Sequence, residues 1–473
     1  MAHKSSRSTQ MIAPQHQLTD PLNQVALKSI RGSFLDFVGD PFYGSEAESV
    51  RYVEDGLLVL EGGRIKAFGP YNALAAEYGH IPTTAYADRL IMPGFIDTHI
   101  HYPQTGMIAA YGEQLLEWLN QYVFPTERKF QDKDYARNVA EVFLDQLLSN
   151  GTTTALVFAT VFPQSVDAFF EAAEQRNLCM IAGKVMMDRH APDSICDTAE
   201  SAYQETKALI RKWHKKGRLR YAVTPRFAIT STDEQLKRAG KLLQEFPDVY
   251  LHTHISENAK EVEWVKALFP DCDGYLDAYD RAGLVAERSV FAHGVHLSDG
   301  EFQRLSEAKS AIAFCPTSNL FLGSGLFRLE QAKSAEHPVK VGLGTDVGAG
   351  TSFSLLQTAN EAYKVAQLRQ QKLSPFKALF LATLGGARAL CLDDTLGSFD
   401  VGKDADFIVL DPRATPLMAF RNSSQTPATL DELGDRVFAM MMMGDDRAVE
   451  RVYVLGELAY SQPQPNRPTQ TRA

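Results

Sequence analysis

The sequence predicts an α/β protein, a closed (β/α)8 TIM-type barrel with a small β-sandwich domain built from both chain ends. Three observations lead there. The middle of the chain alternates apolar strand-like runs with amphipathic helical stretches, the pattern of βαβ units on a parallel sheet. The apolar runs number eight, which closes a barrel more readily than it builds an open sheet. Hairpin-like alternation is confined to the two ends of the chain.

Taken in order, residues 1–25 are polar and mixed and read as a flexible tail. Residues 26–92 carry short alternating segments, among them Gly56-Leu-Leu-Val-Leu-Glu61, the turn Gly62-Gly63 and Arg64-Ile-Lys-Ala-Phe68. They are assigned to the β-sandwich domain, and residues 93–394 to the barrel. The eight candidate strands are Leu90–His101, Thr153–Ala159, Met180–Met187, Leu219–Phe227, Val249–Ile255, Ser289–Val295, Ser310–Asn319 and Val339–Asp346. Helical patterns such as Tyr135–Leu148 and Asp233–Phe246 separate them, and Ser231-Thr232-Asp233-Glu234 before the latter reads as a capping box. Strand grammar returns over 395–460, in Asp406-Phe-Ile-Val-Leu410 and Arg451-Val-Tyr-Val-Leu455, and completes the sandwich. Residues 461–473, rich in Pro, Gln, Thr and Arg, read as a second flexible tail.

Composition bounds the function. Hydrophobic residues are 45% and charged residues 22% of the 473, as in ordinary folded proteins. A formal charge of −10 argues against a nucleic-acid partner, which calls for a basic stripe. The densest basic stretch, Arg211-Lys-Trp-His-Lys-Lys-Gly-Arg218, reads as one solvated helix end. Cys179, Cys196, Cys272, Cys315 and Cys391 are scattered without paired spacing, and MAHKSSRSTQ lacks the apolar stretch of a secretory signal. No run approaches the ~18 apolar residues of a membrane span. These features predict a cytoplasmic protein with reduced thiols, no nucleic acid and no membrane.

Chemistry-bearing residues fall at the ends of the candidate strands. His99 and His101 close the first, and alternate residues of a strand share a face, so both imidazoles can enter the barrel mouth. Arg226 closes the fourth strand, His254 the fifth, His293 the sixth and Asp346 the eighth. Residues at the C-terminal strand ends of such a barrel converge on one site. The donor set of His99, His101, His254 and Asp346 suits Zn2+ or Fe2+ and, with one open position, would bring the pKa of a water to about 7. Structural alternatives stand beside these readings. His252 shares a strand face with His254 and competes with it as a ligand. The alternatives are a helix cap for Asp346, a structural ion pair for Arg226 and a solvated loop position for Gln104. His80, His190, His214, His296 and His337 lack such context and read as surface or packing residues.

Combined, Pro93-Gly-Phe-Ile-Asp97-Thr-His99-Ile-His101, His254-Ile-Ser-Glu257, His293, Gly344-Thr-Asp346 and Gly397-Ser-Phe-Asp-Val-Gly402-Lys-Asp-Ala-Asp406 resemble the amidohydrolase superfamily. Within it, His101-Tyr-Pro-Gln104, Leu115-Leu-Glu-Trp-Leu119, Phe124-Pro-Thr-Glu127, Pro225-Arg226-Phe227, His254-Ile-Ser-Glu257-Asn258 and Phe314-Cys-Pro-Thr-Ser-Asn319 are similar to the guanine deaminases. The resemblance favours His254 over His252, because Glu257 follows it at the family spacing. It implies one Zn2+ per chain, with Fe2+ possible, held by His99, His101, His254 and Asp346. A bridging lysine is absent from Tyr221–Phe227 and Thr153–Ala159. It further implies attack on the amino-bearing carbon of guanine, with Glu257 as proton shuttle, His293 orienting the nucleophile and Asp346 accepting a proton. Gln104, Arg226 and Phe227 would bind the small-molecule substrate, with His101, His254 and Asp346 touching it as well. A homodimer is the expected assembly. Two other functions compete: a deaminase or chlorohydrolase of another amino-heterocycle, and a non-catalytic scaffold that keeps the barrel.

Overall fold

The computed structural model describes residues 26–112, 114–422 and 426–463, so the predicted tail over 1–25 and all but the first three residues of the one over 461–473 lie outside the described residues. The chain opens with strands β1 (Lys28–Phe37), β2 (Val50–Glu61), β3 (Arg64–Pro70) and β4 (Thr83–Pro93). β2 and β3 form the predicted hairpin. Gly62 and Gly63 both sit at positive φ (59° and 82°), the backbone that a two-residue turn between twisted strands requires.

The barrel strands follow: β5 (Phe95–His101), β6 (Thr152–Phe158), β7 (Cys179–Gly183) with its short continuation β8 (Val185–Met186), β9 (Arg220–Pro225), β10 (Tyr250–Ile255), β11 (Ser289–His293), β12 (Ala311–Phe314) and β13 (Lys340–Leu343). They pair in parallel, in chain order. Every residue of β5, β6 and β10 is buried, as expected for parallel strands covered on both faces. Hydrogen bonds just beyond β13 close the barrel: Asp346 N donates to His99 O at 2.9 Å, and His101 N donates to Val347 O at 3.1 Å.

β14 (Phe407–Leu410), β15 (Val449–Val454) and β16 (Glu457–Ser461) complete the second sheet, ordered β16-β15-β14-β4-β1-β2-β3. Both chain ends therefore build one sheet, antiparallel except where β1 meets β4. Its core holds Phe34, Phe68 and Phe399, with ring centroids 5.1–5.3 Å apart. Arg218, just before β9, ties it to the barrel through a 2.5 Å bond to Asp406 Oδ2. No helix among the described residues is long and apolar enough to cross a membrane.

Four expected boundaries are corrected. The run Leu90–His101 is two strands in two sheets, broken at Gly94, where a Cβ would stand 2.2 Å from Thr153 Oγ1. Met180–Met187 is interrupted at Lys184, between β7 and β8. Ser310–Asn319 is a four-residue strand followed by helix Pro316–Phe321, because Pro316 is suited to a first helical turn and not to a central strand. Ser461 belongs to β16 and not to a tail. The helices over Tyr135–Leu148 and Asp233–Phe246 form as Lys133–Ser149 and Asp233–Glu245. The capping box before the latter is half made: Thr232 accepts from Gln235 N, while the Gln235 amide finds no partner.

Candidate metal centre

The site assembles where the barrel closes. His99 and His101 alternate along β5, His254 lies near the end of β10, His293 ends β11, and Asp346 follows β13. Asp346 and His293 adopt left-handed backbone, with φ of 51° and 75°. Such conformations cost on the order of 1–3 kcal/mol per non-glycine residue and persist only where surrounding structure imposes them. Asp97 supplies part of that imposition across the seam. Its carboxylate accepts from His99 N, Thr345 N and Thr345 Oγ1 at 3.1, 3.1 and 2.5 Å.

The side chains converge. Asp346 Oδ1 lies 3.1 Å from His99 Nε2 and 3.3 Å from His101 Nε2, and His101 Nε2 lies 3.2 Å from His254 Nε2. Donor atoms of His99, His101 and Asp346 fall within 4.8 Å of one another, as do those of His99, His254 and His293. Buried His99 Nε2 and His293 Nε2 have no hydrogen-bond partner. A divalent metal would satisfy the first of these, so this nitrogen-rich set with one carboxylate fits such an ion. The outer partners agree. His254 Nδ1 donates to Arg226 O at 2.7 Å, leaving the Nε2 lone pair free to face the cluster. His99 Nδ1 lies 2.7 Å from His252 Nε2, so His252 stands behind His99. Burial depresses His101 to about 3 and lowers His99 as well, which keeps both imidazoles neutral, as ligation needs.

Glu257 and His293 stand together beside this cluster. His293 Nε2 lies 3.5 Å from Glu257 Oε2 and 3.8 Å from Asp346 Oδ2. His293 Nδ1 donates to Asn319 Oδ1 at 2.9 Å, which sets the tautomer and leaves Nε2 facing the two carboxylates. Ser324 Oγ donates to Glu257 Oε1 at 3.3 Å. Burial, and then the charge of Asp346, pushes the Glu257 carboxyl up to about 8. Glu261 accepts from the backbone N–H groups of Glu257 and Asn258, at 2.7 and 3.0 Å, and so fixes the turn that carries Glu257.

A narrow cavity opens onto these groups, with Leu115, Trp118, Leu119, Phe227 and Leu322 as its apolar wall. Arg226 and Gln104 line it too. Arg226 is at once cavity-lining and ion-paired: its Nη1 donates to both Glu127 oxygens, at 2.9 and 3.0 Å. Gln104 is 2% exposed, so it is no solvated loop residue, and its Oε1 accepts from Gly348 N at 3.3 Å. Burial pushes the Glu127 carboxyl above the ordinary range while Arg226 pulls it back, and bonding at both oxygens is what the ionised form makes.

The structure thus brings together His99, His101, Gln104, Arg226, Phe227, His254, Glu257, His293 and Asp346. His190, His214 and His296 lie elsewhere: His190 stacks on Trp264, His214 accepts from Tyr221 N, and His296 bonds Ser324 O. Sequence reasoning assigned no role to Glu127, Asn319, Ser324 or Glu261. Glu127 and Asn319 lie within quoted motifs, yet the group each serves is 99 or 26 residues away.

Comparison with known proteins gives one consistent result. The family model described as amidohydrolase family matches residues 90–459. Guanine deaminase of Escherichia coli is 56% identical over 92% of this chain and 98% of that protein. The crystal structure of guanine deaminase from Bradyrhizobium japonicum has a TM-score of 0.90 and 44% identity, covering 93% of this chain and all of that one. A guanine deaminase from C. acetobutylicum, with guanine bound in its active site, has a TM-score of 0.82 and 27% identity, covering 92% of this chain and 100% of that one.

Proposed function

The chain belongs to the amidohydrolase family, and from that premise we propose that it is a guanine deaminase, hydrolysing guanine to xanthine and ammonia. The observation that carries this reading is one cavity lined by a metal-type donor cluster, a carboxyl raised to about 8 and a guanidinium fork. The relatives named as guanine deaminases support the choice of substrate.

His99, His101, His254 and Asp346 would hold one divalent metal, Zn2+ by preference for a set of three imidazoles and one carboxylate. Absence of lysine from β6 and β9 supports a single ion, since neither strand offers a bridging group. The buried Lys184 is engaged with Asp197 at 2.6 Å. When bound, the metal supplies the Lewis acidity that brings the pKa of water to about 7.

Glu257 carries one proton of the attacking water to the ring nitrogen, and a second, released from the hydroxyl of the tetrahedral centre by way of Asp346, reaches the amine, which leaves as ammonia as the C–N bond breaks. Burial raises the proton affinity of this carboxyl, which suits a group that must take up a proton and hand it on. His293, aimed by Asn319, holds the nucleophilic oxygen and the tetrahedral centre, and Asp346 accepts a proton beside it. The Arg226 fork and the Gln104 amide read the six-oxo edge and the adjoining ring edge, while Phe227 packs on the ring. His101, His254 and Asp346 also line the cavity, which supports their contact with substrate. A cytoplasmic homodimer is the expected form.

The test is quantitative. Metal-loaded protein incubated with guanine should release xanthine and ammonia in equal amounts, with about one metal per chain by elemental analysis. No xanthine from metal-replete protein refutes the activity, and two tightly held metals refute the single-ion site.

A further inference from the structure

Glu127 forms part of the cavity's support, and the mechanism above does not use it. It is 1% exposed, and Arg226, which bonds both its oxygens, is 2% exposed. The Gln104 amide also favours the ionised form of this carboxylate. Both groups proposed to read the substrate therefore lean on one residue.

The local fold explains how it gets there. Helix Leu115–Trp118 runs into a π-helical turn, Leu119–Val123, and then into helix Phe124–Glu127. Pro125 has no N–H to give to a regular helical ladder, and a wide turn before it accommodates the loss. The same run places Leu115, Trp118 and Leu119 on the cavity wall and sets the Phe124 ring 5.8 Å from Arg226 Cζ. One segment thus supplies apolar wall, cation–π contact and counter-ion.

The counter-ion has a chemical consequence. A buried guanidinium with no partner would give the cavity a net positive wall and favour anions. Paired with Glu127, it presents hydrogen-bond donors without net charge. Guanine is neutral, whereas xanthine, with a second oxo group on the same ring, loses a proton more readily. We propose that Glu127 is a positioning and specificity-determining residue that orients Arg226 and Gln104 and cancels the charge of Arg226, so that the cavity takes a neutral oxopurine and disfavours anionic rings, the ionised product included. This rests on the guanine deaminase reading.

The test uses the metal-loaded full chain. Glu127→Gln keeps the size and one acceptor but removes the charge. Its KM for guanine should rise by about tenfold or more, and it should bind urate and xanthine, measured by calorimetry, about tenfold more tightly than wild type, a factor worth 1.4 kcal/mol. Binding of neutral hypoxanthine should not tighten. Glu127→Asp keeps the charge at a shorter reach. It should raise KM at nearly constant kcat while urate affinity stays at the wild-type value. A Glu127→Gln protein with unchanged KM and unchanged urate affinity overturns the proposal, as does a loss confined to kcat. If Glu127→Gln does not fold, a wild-type KM in Glu127→Asp overturns it alone. Failure of wild type to deaminate guanine would refute the underlying reading, and the urate comparison would still report on Glu127.

Discussion

Replacing Arg226 with methionine separates recognition from structure. Methionine fills much of the space of the arginine stem but offers no donor. Two losses follow, and both have a magnitude. Glu127, 1% exposed, is left without its cation, and breaking a buried pair from one side costs about 3–5 kcal/mol. Protonation relieves part of that, because burial already pushes this carboxyl upward, so the low end of the range is expected. The substrate's oxo group loses a charged donor worth about 1.5–3 kcal/mol, or roughly 10–150-fold in kcat/KM. The assay is steady-state xanthine formation beside metal analysis and calorimetric Tm. Arg226→Met should keep its metal, lose this efficiency and melt several degrees lower. Adding Glu127→Gln removes the stranded charge, so the double variant should recover most of the Tm and none of the efficiency. Wild-type efficiency in Arg226→Met refutes the recognition role. A double variant no more stable than the single one refutes the charge argument.

Three further outcomes are expected. Glu257→Gln should retain metal and lose about 10²–10⁴-fold in kcat, and near-normal turnover contradicts the shuttle role. In the metal-free protein, Glu257 sits raised from 4.5 to about 8. Its contribution to stability is therefore fully present below about pH 4.5 and lost as pH rises through 8, so the Tm of wild type should fall relative to Glu257→Gln over that window. A pH-independent difference contradicts the raised value. Chelation should abolish activity, and restoring Zn2+ should return it; full activity in the metal-free protein excludes the proposed site. Asn319→Ala should lower turnover about 10–100-fold by releasing the His293 tautomer, and an unaffected rate removes Asn319 from the site.

The sequence exposed those parts of the site that follow strand geometry. His99 and His101 obey a period of two, and His254, His293 and Asp346 terminate or follow apolar runs, so their convergence followed from a barrel alone. The breaks within runs were harder to read. Leu90–His101 reads as one strand although Pro93-Gly94 within it is a turn signal, and the close approach of Thr153 to Gly94 shows why the chain leaves one sheet for the other there. The strand-to-helix switch at Cys315–Pro316 was readable from proline chemistry, yet the apolar run before it masked the switch and with it the role of Asn319. Glu127 gave no local signal, because a buried carboxylate is recognised by its partner and Arg226 lies far along the chain. Asp406 was legible as part of a motif, but its function is architectural: it accepts from Arg218 and from Leu455 N, joining barrel to sheet.

The central claim is that this cavity deaminates an oxopurine and rejects rings without the oxo acceptor. The most direct measurement is ammonia release by the metal-loaded wild-type protein from guanine, adenine, cytosine and an aminotriazine, side by side. A site built to hydrogen-bond the oxo group should favour guanine over adenine by about 10⁴-fold or more in kcat/KM. Comparable efficiency on adenine, or faster release from the triazine, would contradict the account.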